Sequence, residues 1–354
     1  MTVFKPIEIF CGTGGVGKTT LASSRALYLA HMGAKVLLIT IDPAKRLKQV
    51  LKMEESAEGE VKSIPCDLFM THLGDIESAG KTFDALLLSP AKTFQKISEH
   101  VEEAVNHDNI ILKTLTKPYG GMNEIMAIVE VERQLKTGRY DTIVLDTPPG
   151  KHFIDFLDSS KKIQRFFDSS FVDIFRYMGK NVADKTSAPT KFLKSLISSG
   201  VKKLLSYLEK VTGKDFVEVF VDAVINIYRN KDGFLEALQF GEKLKNKKFS
   251  NWYLVTSVDQ MKLAEATNLK QSASDYMHED SFLALNRCLE RELTAWDTQG
   301  DSELERFKQS MLGREMELKK YAQSQGETVL EFSEIFQINP EEHVAALATQ
   351  WQKS

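Results

Sequence analysis

Short apolar runs alternate with longer segments of helical periodicity along most of the chain. Residues 7–11 form an apolar run, and residues 19–33 then repeat apolar side chains at helical spacing and end at a glycine. Residues 35–42 are almost continuously apolar, as expected of a parallel strand covered on both faces. This pattern predicts a strand–helix–strand unit with a right-handed crossover.

Further apolar runs predict five more strands, with helical patterns between them. They cover residues 67–73, 140–147, 251–257, 282–286 and 328–333, and we find no internal repeat. The alternation of strands and helices predicts an α/β fold, a doubly wound, mostly parallel sheet.

One long interval lacks strand patterns and predicts an inserted helical subdomain. It covers residues 153–248, so that 1–152 and 249–354 would form the main domain. Several segments within it are amphipathic, and Phe167, Phe171 and Phe175 share one helical face. That face is compatible with a groove for a hydrophobic client, but packed core is the commoner role of such a stripe.

Composition narrows the class of protein. Charged residues make up 27% and hydrophobic residues 42% of the chain, and the formal net charge is −3. Neither disorder nor a general affinity for nucleic acid is indicated. The chain shows no signal-peptide pattern and no apolar run approaching about 20 residues, so we expect a cytoplasmic protein without an integral membrane segment.

The three cysteines are far apart in the sequence. Cys11, Cys66 and Cys288 form no Cys-x-x-Cys pair. The sequence therefore predicts neither a disulfide framework nor a thiolate zinc site, and we expect each cysteine to be a small buried residue.

The strongest chemical signal is a phosphate-binding loop. Residues 12–19 fit the pattern Gly-x-x-x-x-Gly-Lys-[Ser/Thr] and lie between a predicted strand and a predicted helix. Glycines allow the backbone amides to surround phosphate oxygens, Lys18 would contact the β and γ phosphates, and the Thr19 hydroxyl would ligate Mg²⁺. The predicted nucleotide-binding residues are Gly14, Gly15, Val16, Gly17, Lys18, Thr19 and Thr20.

Two aspartates follow predicted strands and would meet at the carboxyl edge of the sheet. Asp146, with Thr19, is the predicted metal ligand, although an isolated aspartate in this position is usually a turn former. Asp42 would orient the attacking water, or alternatively cap the turn before Pro43.

Five motifs together resemble the ArsA-like ATPases, the family of the arsenite-pump ATPase and of the ATPase that targets tail-anchored membrane proteins. They lie in the same order as in the family and span most of the chain: "GGVGKTT" (14–20), "DPA" (42–44), "GMNE" (121–124), "DTPPGKH" (146–152) and "LNR" (285–287).

The resemblance implies an activity, cofactors and partners. It implies a Mg²⁺-dependent ATPase with catalytic Lys18 and Asp42, a switch II segment that Asp146 opens, and adenine recognition by Asn286. His152 and Glu124 match structural or relay positions. It also implies a homodimer that closes around ATP, with a nucleotide cycle that drives conformational change and binding of a protein client.

The chain departs from the family at Thr13, where relatives carry a lysine that reaches the partner's phosphates. The resemblance thereby implies slow hydrolysis unless another cation replaces that lysine. Lys45 and Lys151 are the candidates, and we favour Lys151 as a catalytic residue, with a solvated loop charge as the alternative. The family's cysteine clusters are absent from the sequence, so we expect neither arsenite stimulation nor a zinc-linked dimer.

Two other functions remain open at this point. One is an ATP-binding scaffold with negligible hydrolysis. The other is a partitioning ATPase of the MinD type, which usually carries a lysine-rich terminal amphipathic helix. The last fifteen residues begin acidic and contain one lysine near their end, which argues against membrane attachment.

Overall fold

The computed structural model of the chain describes most of the predicted sheet domain. The residues it describes are 4–41, 48, 50–53, 57–72, 80–90, 92, 93, 96, 122–158, 239–324, 326, 328–337 and 339–353. The chain divides into two compact units, one comprising 1–88, 133–157 and 241–354, the other 89–132 and 158–240.

The first unit is built on one sheet of eight strands in the order β3-β4-β2-β5-β1-β6-β7-β8. All neighbouring strands run parallel except β3 and β4, which are antiparallel. The strands are β1 (Ile7–Gly12), β2 (Val36–Thr40), β3 (Val61–Pro65), β4 (Thr82–Leu87), β5 (Thr142–Asp146), β6 (Ser250–Ser257), β7 (Phe282–Cys288) and β8 (Thr328–Ser333). The α/β fold with a mostly parallel sheet is confirmed.

The described helices connect these strands. They are α1 (Lys18–His31), α2 (Met122–Lys136), α3 (Lys151–Leu157), α4 (Phe240–Leu244), α5 (Gln260–Ser272), α6 (Glu290–Ala295), α7 (Ser302–Ser324) and α8 (Pro340–Gln350). Two 3₁₀ helices cover Cys66–His72 and Trp351–Lys353.

The centre of the sheet is fully buried, and this explains its nearly continuous apolar sequence. Every residue of β1, β2 and β5 is buried, as expected of parallel strands covered on both faces. One face is covered by α1 and α8, where the Trp351 indole donates a hydrogen bond to the Ser24 hydroxyl at 2.9 Å. Trp351 also packs against Phe10, Tyr253 and Phe332.

One predicted strand is wrong. Residues 67–73 were expected to extend as a strand, but the chain forms the 3₁₀ helix Cys66–His72 there. The strands of this region are β3 and β4, on either side of it. A short apolar run is compatible with a buried helical turn as well as with a strand, because both structures can bury its apolar side chains.

Most of the predicted helical subdomain lies outside the described residues. This includes 159–238 and the aromatic face at Phe167, Phe171 and Phe175. The predicted boundaries of that subdomain stay a prediction. Among the helices that the structure describes, none has the length and apolar character needed to cross a membrane.

Candidate nucleotide-binding site

The predicted phosphate loop connects β1 to α1 at the carboxyl edge of the sheet. Gly12 ends β1 beside Val255 of β6, with a φ of 151°. A Cβ atom on Gly12 would lie 2.2 Å from the Val255 carbonyl oxygen, so only glycine fits between the strands. The loop therefore leaves the sheet at a fixed point, and Gly14 and Gly15 are exposed beyond it.

Lys18 begins α1 and is held against the loop that precedes it. Its Nζ donates a hydrogen bond to the Thr13 carbonyl oxygen at 3.1 Å, and the residue is only 8% exposed. Gly17, the N-cap residue, has a φ of 90°, which lets the helix start directly from the loop. The ammonium group and the first amides of α1 thus both lie at the start of this helix, where anions bind favourably.

The two predicted metal ligands meet. The Thr19 hydroxyl donates a hydrogen bond to Oδ2 of Asp146 at 2.8 Å, and Asp146 is 2% exposed. Asp146 ends β5, the strand next to β1, so the parallel register brings its carboxylate to the loop. Carboxylate and hydroxyl oxygens are suitable ligands for Mg²⁺, which usually completes its shell with phosphate and water oxygens. These two residues therefore fit the ion that the sequence predicts.

The segment after Asp146 is anchored to β1. The Thr147 hydroxyl donates a hydrogen bond to the Phe10 carbonyl oxygen at 2.8 Å, and the Gly150 amide donates one to the Gly12 carbonyl oxygen at 3.1 Å. Lys151 follows directly as the first residue of α3, and its side chain is exposed, as is that of His152. Lys151 therefore starts from an anchored position next to the loop and extends into solvent.

Asn286 lies behind the phosphate loop. It is buried, and its side-chain amide donates a hydrogen bond to the Val16 carbonyl oxygen at 2.9 Å. A Cβ atom on Gly17 would lie 2.3 Å from the same amide nitrogen. The bond uses one N–H of the amide and leaves its oxygen and its second N–H for another partner. Adenine recognition by Asn286 remains a prediction.

Some predicted residues lie outside the part of the chain that the structure describes. Asp42 and Lys45 are among them, although the Ile41 amide, one residue before Asp42, donates a hydrogen bond to the Asp146 carbonyl oxygen at 3.1 Å. Glu124 lies in the first turn of α2, within the second unit.

All three cysteines are buried free thiols, as the sequence predicts. Burial raises the pKa of Cys11 to about 12, and burial likewise raises the pKa of Cys66 to about 11. A thiol with so high a pKa is neutral at physiological pH. The described residues hold no group of three or more metal-ligating side chains.

Comparison with known protein families shows which family the chain belongs to. The family model described as anion-transporting ATPase matches residues 6–227, which is more than half of the chain and includes the phosphate loop and Asp146. The chain belongs to this family, the ArsA-like ATPases. By that membership it is an ATP-binding protein and an ATPase.

Individual relatives are distant from this ArsA-like ATPase. ATPase GET3 of Malassezia globosa is 25% identical over 246 residues, which cover 66% of this chain and 69% of that protein. ATPase get3 of Schizosaccharomyces pombe is 28% identical, over 42% of this chain and 41% of the relative. ATPase get3 of Botryotinia fuckeliana is 29% identical, over 41% and 39%. For these two relatives the chain matches about two fifths of their length.

Sequence reasoning missed one contact of the phosphate loop in this ArsA-like ATPase. The bond from Asn286 to Val16 joins residues 270 positions apart. This pair has no signal in the sequence, because it depends on the neighbouring positions of β1, β6 and β7 in the sheet.

Proposed function

We propose that the chain is a Mg²⁺-dependent ATPase whose nucleotide cycle changes the conformation of a homodimer and its binding of a protein client. The observation that carries the enzymatic part is the hydrogen bond between Thr19 and Asp146, at 2.8 Å, beside the Lys18 ammonium group. It joins a hydroxyl and a buried carboxylate, both suited to Mg²⁺, at the edge of the sheet where Lys18 begins α1.

The residues of the loop have distinct roles in this proposal. Lys18 exchanges its bond to the Thr13 carbonyl oxygen for the β and γ phosphates of ATP, and the amides at the start of α1 bind the same oxygens. Thr19 and Asp146 would hold Mg²⁺, which neutralises negative charge on the phosphates when it is bound. Asp42 orients the water that attacks the γ phosphorus.

Dimerisation and client binding rest on family membership. The first two relatives named above are 25% and 28% identical to this chain over the aligned residues only, and the predicted client-binding subdomain, 153–248, lies largely outside the described residues. Client, dimer and cytoplasmic location are therefore proposals about this chain.

Lys18→Ala tests the nucleotide site. Removing the ammonium group leaves phosphate charge uncompensated, so we expect ATP affinity to fall by several kcal/mol, beyond detection by calorimetry. The parent protein should release phosphate from ATP in the presence of Mg²⁺. Lys35→Ala, at an exposed lysine before β2, is the matched control and should bind ATP like the parent. Unchanged ATP affinity in Lys18→Ala contradicts the proposal.

The competing functions give other results. A scaffold would bind ATP without measurable phosphate release, and Asp42→Asn would then change nothing. A partitioning ATPase would bind to lipid vesicles. The apolar face of α8, formed by Val344, Ala345, Leu347 and Ala348, is buried in the core and does not supply a membrane-binding surface.

A further inference from the structure

Thr40 ends β2 beside Asp146, the residue that ends β5. The two residues are partners in the parallel ladder, so their backbones lie about 4.8 Å apart. The Ile41 amide donates a hydrogen bond to the Asp146 carbonyl oxygen at 3.1 Å, which continues the pairing beyond Thr40. Thr40 therefore lies at the same edge of the sheet as the candidate metal ligand.

The side chains of Thr40 and Asp146 also lie on the same face of the sheet. Successive side chains of a strand point to opposite faces. Leu38 and Val144, two positions earlier in each strand, belong to the core between the sheet and α1. Thr40 and Asp146 therefore both face α1, whose Thr19 hydroxyl bonds to Asp146. This places the Thr40 hydroxyl group next to the pair formed by Thr19 and Asp146.

The Thr40 hydroxyl group is buried and has no hydrogen-bond partner within the part of the chain that the structure describes. The residue is 1% exposed. A buried hydroxyl group that lacks a partner costs about 1–3 kcal/mol of stability. Valine has nearly the same shape and would avoid this cost. A polar partner from outside the chain would remove the cost as well, and the position of Thr40 indicates which partner that is.

Position distinguishes Thr40 from another buried threonine of the sheet. Thr142 begins β5, is likewise 1% exposed, and its hydroxyl group also lacks a partner among the described residues. It lies on the same face as Asp146 but four residues earlier, about 13 Å away along the strand. An unsatisfied hydroxyl group alone therefore does not indicate a site, whereas one beside a carboxylate suited to Mg²⁺ does.

We propose that Thr40 is a positioning residue for ATP hydrolysis, whose hydroxyl group accepts a hydrogen bond from a water molecule of the Mg²⁺ shell. The proposal rests on the Mg²⁺-dependent ATPase function proposed above. Mg²⁺ usually keeps several water ligands in such sites. A water molecule can bridge two polar groups that do not bond to each other directly, and Thr40 and Asp146 are two such neighbours. Thr40 thereby orients the water molecules around the ion that Thr19 and Asp146 hold.

The experiment compares three substitutions in the full chain. Thr40→Val removes the hydroxyl group at nearly constant volume, Thr40→Ser keeps it, and Thr142→Val is the matched control on the same face of the sheet. Calorimetry measures the affinity for a non-hydrolysable ATP analogue, once with Mg²⁺ and once with EDTA. Phosphate release against Mg²⁺ concentration gives the half-maximal Mg²⁺ concentration, and thermal melting without nucleotide measures the stability of the fold.

We expect Thr40→Val to weaken binding of the analogue about three- to tenfold in Mg²⁺ and to leave it unchanged in EDTA, because one hydrogen bond to the shell is lost. The half-maximal Mg²⁺ concentration should rise by a similar factor. Thr40→Ser should stay near the parent in both measurements, and Thr142→Val should match the parent. Both valine variants should melt no lower than the parent, since each removes an unsatisfied buried hydroxyl group.

Four results would overturn the assignment. They are a parental response to Mg²⁺ in Thr40→Val, a Thr40→Ser variant as defective as Thr40→Val, an equal loss of affinity in EDTA, or a Thr40→Val variant that melts below the parent. The last would show that the hydroxyl group stabilises the fold itself. If the parent binds ATP but releases no phosphate with Mg²⁺, the proposed ATPase function fails and this inference fails with it, whereas the four results above leave that function intact.

Discussion

The side-chain amide of Asn286 donates a hydrogen bond to the carbonyl oxygen of Val16, 2.9 Å away and 270 positions earlier in the chain. β7 thereby fixes the shape of a phosphate loop that belongs to β1 and α1. A loop that is held in its binding shape before the nucleotide arrives loses less conformational freedom on binding.

Asn286→Ala should weaken ATP binding about tenfold, which corresponds to about 1.4 kcal/mol, because the buried Val16 carbonyl oxygen loses its donor. If the rest of the amide recognises adenine, the preference for ATP over GTP should also fall. Calorimetry with both nucleotides measures the two effects. An unaltered preference would remove the adenine assignment, and unaltered affinity for both nucleotides would remove the role in holding the loop.

Gly17→Ala should abolish ATP binding. Its φ of 90° disfavours alanine, and the new Cβ atom would lie 2.3 Å from the Asn286 amide nitrogen. Gly313→Ala is the control, because Gly313 lies in the middle of α7 with nothing within 4 Å of the added atom. That control should bind ATP normally and gain about 0.5–1 kcal/mol of stability. Normal ATP affinity in Gly17→Ala would show that the loop adapts, contrary to our expectation.

Thr19→Val should weaken or abolish the stimulation of ATP hydrolysis by Mg²⁺. It removes the hydroxyl bonded to Asp146 at nearly constant volume, whereas Thr19→Ser keeps the hydroxyl. Phosphate release measured against Mg²⁺ concentration should show a lost or strongly right-shifted response for Thr19→Val and a near-parental response for Thr19→Ser. A parental Mg²⁺ dependence in the valine variant would exclude Thr19 as a metal ligand.

Lys319→Met should destabilise the fold by about 3 kcal/mol, since it leaves three carboxylates without their shared cation. Lys319 Nζ lies within 2.9 Å of carboxylate oxygens of Glu290, Glu315 and Glu331. Burial is the largest single influence on the Lys319 pKa and lowers it. The hydrogen bonds to the three glutamates together outweigh burial and raise this pKa. The contribution of these ion pairs to the free energy of unfolding is therefore complete at pH 7 and is lost only in strongly alkaline solution. Urea unfolding should separate Lys319→Met from Lys320→Met, whose parent side chain is exposed. Equal stabilities would contradict the prediction.

Alkaline pH should destabilise the protein through its buried thiols. Burial raises the pKa of Cys11 from 9.0 to about 12, so the folded state keeps a proton that the unfolded chain releases. The part of the unfolding free energy that comes from this proton is present in full below pH 9. It is lost as pH rises from 9 to 12, at up to about 1.4 kcal/mol per pH unit. Cys11→Ala should therefore show a shallower fall in unfolding free energy above pH 9. An equally steep fall would exclude this thiol as the source.

Sequence patterns predicted six of the eight strands of the sheet and missed β3 and β4. The runs at β1, β2, β5 and β6 are buried throughout or nearly so, and each was predicted. In β3 only Ile64 is buried, and β4 contains Asp84, which accepts a hydrogen bond from the Tyr140 hydroxyl at 2.8 Å. The polar Asp84 interrupts the apolar pattern of β4, and β3 has too few apolar residues to form such a pattern, which is why both strands were missed.

Only part of the candidate site could be predicted from the sequence. Lys18, Thr19 and Asp146 follow from a motif and a strand end, and the structure brings Thr19 and Asp146 into contact. The placement of Asn286 against Val16 depends on sheet order, which local sequence does not encode. Long-range contacts of the loop therefore had to come from the structure.

The packing of Trp351 on α1 has a consequence for how the protein is made. The indole covers the helix that follows the phosphate loop and bonds to Ser24, 327 positions earlier. A ribosome must therefore synthesise residue 351 before the indole covers this part of α1, and until then the surface around Ser24 is exposed to solvent or to chaperones. Nascent chains arrested at a series of lengths should accordingly bind nucleotide only after residue 351 has left the ribosome. Shorter chains that already expose the phosphate loop should not bind it.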